Sequence, residues 1–232
     1  MHSLSALIET SFYAAALAAV GLSAQSAGVS GQGSWETTLQ ARDINGDGGI
    51  DAYYDTALNI TWLANWNTNG TQSWNTVAAW AASVNLDGVT GWRLPSTNDT
   101  GLPGCDYSNP GPGGTDCGFN VAPSSSEMAH VYYLTLGNKP YPETGSGLAN
   151  TADFVNMQSS SYRSGTEYAP DTSAAWYFYP NYGNQQRSDK SSLEFAVAVR
   201  DGDVTAVAER HALAMMPAGV AGVGLVLRRR KP

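Results

Sequence analysis

Apolar positions along this chain fall into two regimes. At the ends they run together, as FYAAALAAVGL over residues 12–22 and HALAMMPAGVAGVGLVL over residues 211–227. Between the ends they recur at the spacing of helices or alternate as in strands. Over residues 72–85, Trp74, Val77, Ala78, Ala81 and Val84 repeat at helical spacing, and Ser73 or Thr71 can cap the start. Over residues 125–135, Met128, Val131, Tyr132 and Leu134 mark a buried face. Ser124 and Glu127 form a capping box there, and Gly137-Asn138 ends the helix. Strands are predicted at residues 35–40 (WETTLQ) and as a pair around a turn in 52–62 (AYYDTALNITW). After Ser161 the pattern is β: AAWYFY at 174–179, a turn at 181–184, then EFAVAVR at 194–200. Two helices followed by a meander of short antiparallel strands predict an α+β domain.

The apolar ends have a different meaning. Residues 12–22 have signal-peptide length and are too short to span a bilayer. The small residues Ser23, Ala24 and Ala27 follow, as a cleavage site requires, so residues 1–27 read as a signal peptide. Its n-region departs from the usual pattern, with His2 and Glu9 but no Lys or Arg. The second run reads as a C-terminal transmembrane helix, ending in Arg228, Arg229, Arg230 and Lys231. Such a basic block holds its end on the cytoplasmic side. The tail over 205–232 resembles the PEP-CTERM sorting signal of bacterial surface and exopolysaccharide-associated proteins, which consists of Pro-Glu-Pro, an apolar helix and an Arg-rich end. Ala208-Glu209-Arg210 stands where Pro-Glu-Pro is usual. The resemblance implies sorting to the envelope, an exosortase as partner, and either membrane anchoring or release after processing.

Between these ends, residues 28–34 (GVSGQGS) form a flexible lead-in and 35–204 one domain. The chain has 20 acidic and 12 basic residues. Two of the acidic and five of the basic ones lie outside 28–205, leaving 18 against 7 and a net charge near −11. That balance excludes nucleic acid and sulfated polyanions as partners held by phosphate-type contacts. Abundant Gly, Asn, Ser and Thr with seven Trp and twelve Tyr fit a loop-rich exported domain. The only cysteines, Cys105 and Cys117, lie close together in a Gly/Pro-rich stretch, where an exported chain forms a disulfide. Closing a loop of that size contributes about 3 kcal/mol in the chain-entropy model.

Four motifs in order carry a further likeness: Gly91-Trp92-Arg93-Leu94-Pro95, Tyr162-Arg163-Ser164-Gly165-Thr166-Glu167, Trp176-Tyr177-Phe178 and Val199-Arg200. Over residues 35–203 the chain resembles the Lcl C-terminal-type domain. The resemblance implies a C-type-lectin-like fold and a binding or adhesion role. Arg163 stands where that family has Trp, and Gly165 where it has Ser or Ala.

Two constellations bear on a ligand. Asp43-Ile44-Asn45-Gly46-Asp47-Gly48-Gly49-Ile50-Asp51 reads as the opening of an EF-hand-type calcium loop. Asp43, Asn45, Asp47 and Asp51 stand at oxygen-ligand positions and Gly48 at the turn. Tyr54 occupies the place of the bidentate acidic residue, and the competing reading is an Asp/Asn/Gly turn between two strands. Trp66, Trp176, Tyr179 and Tyr182 sit among Asn and Gly and are candidate sugar-stacking rings. The Glu-Pro-Asn, Gln-Pro-Asp and Trp-Asn-Asp sugar motifs of calcium-dependent lectins are missing from the sequence. For an enzyme the sequence offers His130 without a Gly-x-Ser-x-Gly elbow, and Glu167 without a defined second carboxylate. The expectation is therefore a non-enzymatic surface protein that binds extracellular carbohydrate or matrix. A non-binding structural component of such a matrix is the alternative.

Overall fold

The computed structural model describes residues 28–103 and 117–204, so the expected signal peptide, the transmembrane tail and Cys105 lie outside the described residues. The α+β class is present. In chain order the elements are α1 (Trp35–Thr38), β1 (Leu39–Arg42), β2 (Ala52–Asp55), β3 (Ile60–Leu63), α2 (Trp74–Ser83), β4 (Trp92–Arg93) and β5 (Gly118–Phe119). They continue with a 3₁₀ turn (Pro123–Ser125), α3 (Glu127–His130), a π-helical turn (Val131–Thr135), β6 (Tyr162–Glu167), β7 (Ala174–Tyr179), β8 (Asn184–Asp189) and β9 (Val199–Asp201). They assemble into two antiparallel sheets, β1-β2-β3-β9-β4 and β5-β8-β7-β6. The late strand β9 inserts between β3 and β4, antiparallel to both. Among the described residues no helix is long and apolar enough to cross a membrane.

The expected β2–β3 pair forms with Tyr53 opposite Trp62. Its turn is held by Asp55, whose buried carboxylate accepts the N–H groups of Ala57 and Leu58, and by Asn59 at φ 54°. Asn tolerates that left-handed backbone better than most residues.

Four boundaries differ from the sequence reading; one is EFAVAVR at 194–200, where only Val199 and Arg200 enter a strand, β9. Residues 35–38 are a helical turn and not the start of a strand. The Ser34 carbonyl accepts from the hydroxyls of Thr37 and Thr38 as well as from their N–H groups, so local bonds win over alternation. The second helix breaks into the 3₁₀, α and π pieces. Its cap is Ser126, which accepts from the Ala129 N–H, while Glu127 turns away to bind Arg93. Met128, Val131 and Tyr132 are buried as expected, but Leu134 is exposed because the π turn rotates the face. The strand β8 (NQQRSD) carries no alternation of its own. It forms because β7 offers a full run of partners, from Ala174 opposite Asp189 to Tyr179 opposite Asn184.

The core is one cluster that joins both sheets. Trp62 and Trp66 stack with ring centroids 5.2 Å apart, and Trp66 also meets Phe154 and Tyr162. Val77 and Ala81 bring α2 onto it, and Phe178 brings β7. Aromatic pairs of this kind contribute about 0.5–1.5 kcal/mol beyond their buried area. A smaller cluster contains Cys117, Tyr168, Ala174 and Trp176.

The four sequence motifs become joints of this scaffold. Gly91 takes φ 83°, Trp92 and Leu94 are buried, and Arg93 grips Glu127 through two bonds of 2.8 Å while also reaching Asp201. The Pro95 carbonyl accepts from Ser164 Oγ and the Gly165 N–H. A Cβ on Gly165 would lie 3.3 Å from the Leu94 side chain, which favours glycine there. Arg163 is wholly buried at a contact of 3.1 Å between its Nε and Glu194 Oε2. That contact is an ion pair without an aligned hydrogen bond. The guanidinium donates instead to Ser188 Oγ and to the carbonyls of Asp189 and Ser192, and Ser188 Oγ donates to Glu194. Burial pushes the Arg163 pKa down and the Glu194 pKa up.

Candidate functional site

One end of the second sheet presents a cluster of aromatic rings. Phe119 on β5 and Tyr179 on β7 both lie opposite Asn184 on β8, so the three side chains share a face. The chain turns tightly after Tyr179, whose carbonyl accepts the N–H groups of Tyr182 and Gly183. This folds the Tyr182 ring back against Tyr179 at 5.1 Å and Phe119 at 6.4 Å. Tyr141 joins from another segment, with its N–H on the Tyr182 carbonyl and its ring 5.8 Å from Tyr182 and 5.7 Å from Phe119. Gly183 has φ 59°, and a Cβ there would stand 2.7 Å from the Tyr132 ring. Only glycine therefore lets the turn approach the core so closely.

The result is a ridge whose rings buttress one another edge to face. Tyr141 is 50% exposed and Tyr182 39% exposed, while Phe119 and Tyr179 are half-buried supports. Within it Asn184 is buried and its Oδ1 has no hydrogen-bond partner among the described residues. Fixed rings cost little conformational entropy when a ligand settles on them.

Of the four rings expected to stack a sugar, the structure brings Tyr179 and Tyr182 together and removes the other two. Trp66 is 0% exposed in the centre of the core. Trp176 is 1% exposed, packed edge-on to Tyr168 at 5.3 Å and donating its indole N–H to Asp99 at 2.9 Å. Asn and Gly beside a Trp in sequence do not report its exposure: Phe154 and Tyr162 pack on Trp66, and Tyr168 packs on Trp176. Tyr141 and Phe119 escaped the sequence reading because they lie in segments distant in sequence from Tyr182. Only the fold makes them neighbours.

The acidic loop connects β1 to β2, with Ile44 buried as its anchor. Asp43 accepts from the N–H groups of Gly46 and Gly48, Asn45 from Asp47, Asp47 from Gly49, and Asp51 from Ile44 and Asn45. The carboxylates thus satisfy the loop's own backbone. Tyr54 bonds Asn59 and Asp55 is committed to its own turn, so neither supplies the missing bidentate ligand. Among the described residues no group of three acidic, His or Cys side chains could hold a metal ion. The hydrogen bonds of Asp43, Asn45, Asp47 and Asp51 are those of a strand-connecting turn. Cys117 is buried and disulfide-bonded, and the only other cysteine in the sequence is Cys105.

Electrostatics gives little purchase for anions. Arg42 is held by Asp203, Arg93 by Glu127 and Asp201, Arg163 by Glu194, and Lys190 by Glu167 and the Trp74 ring. Arg200 donates to backbone carbonyls and Arg187 lies over the Tyr168 ring. His130 is half-buried, and burial depresses its pKa against the opposing pull of Asp55. No family model, curated protein or solved structure matches the chain. The class the structure itself defines is an α+β domain with an exposed aromatic ridge.

Proposed function

We propose that this is an exported envelope or surface protein whose C-type-lectin-like domain binds neutral extracellular carbohydrate or matrix through the ridge of Tyr141 and Tyr182. The observation that carries the reading is this pair of exposed rings, buttressed by Tyr179 and Phe119. Pyranose rings carry an apolar face of C–H groups that packs on such exposed aromatic rings. The net negative charge of the domain, with Arg42, Arg93, Arg163 and Lys190 in ion pairs, favours a neutral polymer over a polyanion. The tail over 205–232, with Arg228 to Lys231 on the cytoplasmic side, would hold the domain at the envelope until processing by an exosortase. The role is binding and not catalysis.

The test is retention of the purified protein on immobilised neutral polysaccharides. The Tyr141→Ala, Tyr182→Ala double variant is expected to keep its thermal melt and lose at least about tenfold in affinity, since truncating an anchoring aromatic commonly costs more than about 1 kcal/mol. Chelator is expected to leave binding unchanged. Failure of the wild-type protein to bind would leave the matrix-scaffold role as the better reading.

A further inference from the structure

A concavity lined by none of the ridge residues lies along α2. It is a cleft of about 500 Å³, within the range of about 300–1,000 Å³ typical of small-molecule sites. One wall is the Trp80 ring of α2, which is half-buried and packed against the core. A second depression of about 290 Å³, bordered by Asn69, Gln72 and Thr76, lies against the same Trp80. The indole therefore stands as a partition between two hollows.

The cleft is preformed. The Val155 N–H donates to the Ala64 carbonyl and the Trp66 N–H to the Val155 carbonyl, while the Ala64 N–H donates to Asp51. These bonds lock the segments that line it. Its floor is apolar, from Leu63, Ala64, Val84 and Val155. Its polar groups are few: Asp51, Asn65, Thr68 and Asn85. The Asn65 carbonyl oxygen accepts from the Asn67 N–H and the Asn156 amide, and the Asn85 carbonyl oxygen accepts from Gly88. Their Nδ2 groups make no hydrogen bond among the described residues, so the cleft has amide donors to spare. One Asp51 oxygen is occupied by Ile44 and Asn45, and no cationic side chain borders the cleft.

This set defines a ligand by exclusion. Anions meet Asp51 and no countercharge. A purely alkyl ligand leaves the amide donors and the carboxylate unpaired, which is costly once water is displaced. An unmodified hexose offers an apolar ring face but no alkyl group for the floor. We propose that the cleft along Trp80 binds an N-acetylhexosamine unit of a neutral glycan. The sugar ring packs on the indole, and the acetamido methyl lies on Leu63, Ala64 and Val155. The acetamido carbonyl accepts from the Asn65 or Asn85 amide, and its N–H donates to Asp51. This rests on the carbohydrate reading above and adds a second site, lined by residues other than those of the tyrosine ridge.

The experiment is calorimetric titration of the full chain, in a sugar-free zwitterionic detergent, with tri-N-acetylchitotriose, cellotriose and the deacetylated chitosan trimer. The expected result is saturable binding of tri-N-acetylchitotriose at least about tenfold tighter than of either analogue. Trp80→Ala is expected to abolish it. Because Trp80 packs on the core, Thr68→Trp serves as the second variant: the position is exposed and borders the cleft, so a large ring there is expected to obstruct it. It should lose tri-N-acetylchitotriose with an unchanged melt, while polysaccharide retention through Tyr141 and Tyr182 persists. Equal affinity for cellotriose, tighter binding of the cationic trimer, no binding, or binding that survives Thr68→Trp would each overturn the cleft assignment. If binding survives Thr68→Trp but is lost in the Tyr141→Ala, Tyr182→Ala variant, the ridge is the sugar site and the cleft is not.

Discussion

Asp99 shows how a single carboxylate places a ring. Burial opposes its ionisation, but the Ala169 N–H at 2.6 Å, the Trp176 indole at 2.9 Å and the Gly101 N–H at 2.8 Å outweigh that cost and hold its pKa below the usual carboxylate value. A carboxylate whose pKa falls on folding adds stability above its unfolded pKa, and that stability is lost as pH drops through the folded value. Asp99→Asn is therefore expected to be less stable than the wild type at neutral pH, with the gap closing below about pH 4. Urea melts across pH 3–7 check this; a gap independent of pH would show that the hydrogen-bond geometry alone matters. Arg163 makes the opposite kind of site, where the charge itself is a burden. Arg163→Met leaves the Glu194 carboxylate buried without its cation and frees the carbonyls of Asp189 and Ser192. It is expected to lose about 3–5 kcal/mol in equilibrium unfolding. Glu194→Gln, which can still accept from Ser188, should lose less.

At the scale of elements, the turn between β7 and β8 governs the ridge. It joins a strand whose pattern is plain to one whose pattern is absent, and its geometry depends on Gly183. Gly183→Ala faces both a left-handed backbone, costing about 1–2 kcal/mol, and a clash with Tyr132 that adds about 1–3 kcal/mol of overpacking. The variant should melt lower, and at temperatures where it stays folded it should bind polysaccharide more weakly because Tyr182 is displaced. Unaltered affinity in the folded variant would separate the turn from the site. The α2 helix has the same double character. Val77 and Ala81 hold it to the core, and its outer flank supplies Trp80 to two hollows.

For the whole molecule, charge and topology set the working conditions. With a neutral polymer as ligand, binding should change less than about twofold between 50 and 500 mM salt, because few counterions are released. A steep salt dependence would point to an ionic ligand. If the proposed anchor is right, replacing Arg228, Arg229, Arg230 and Lys231 by Ser should release or misplace the protein in cell fractionation, because a terminal basic block is what retains such a tail's end in the cytoplasm. Unchanged fractionation would remove the anchor from the reading.

Much of the architecture was legible because it rests on local rules. The spacing of Val77 and Ala81 marked α2, the pattern over residues 52–62 marked the β2–β3 pair, and AAWYFY marked β7. The α+β class followed from their order. The helical turn at residues 35–38 was hidden by hydroxyl bonds that no periodicity records, and β8 by its dependence on β7. The sites were the least legible part. Tyr179 and Tyr182 were visible as candidates, but Trp66 and Trp176 resembled them in sequence and proved to be core. Exposure is a property of what packs against a residue, and the partners of Trp66 come from residues 62, 154 and 162. The convergence of Tyr141 on Tyr182, and of Val155 on Trp80, likewise depends on contacts between distant segments, which only the tertiary structure decides.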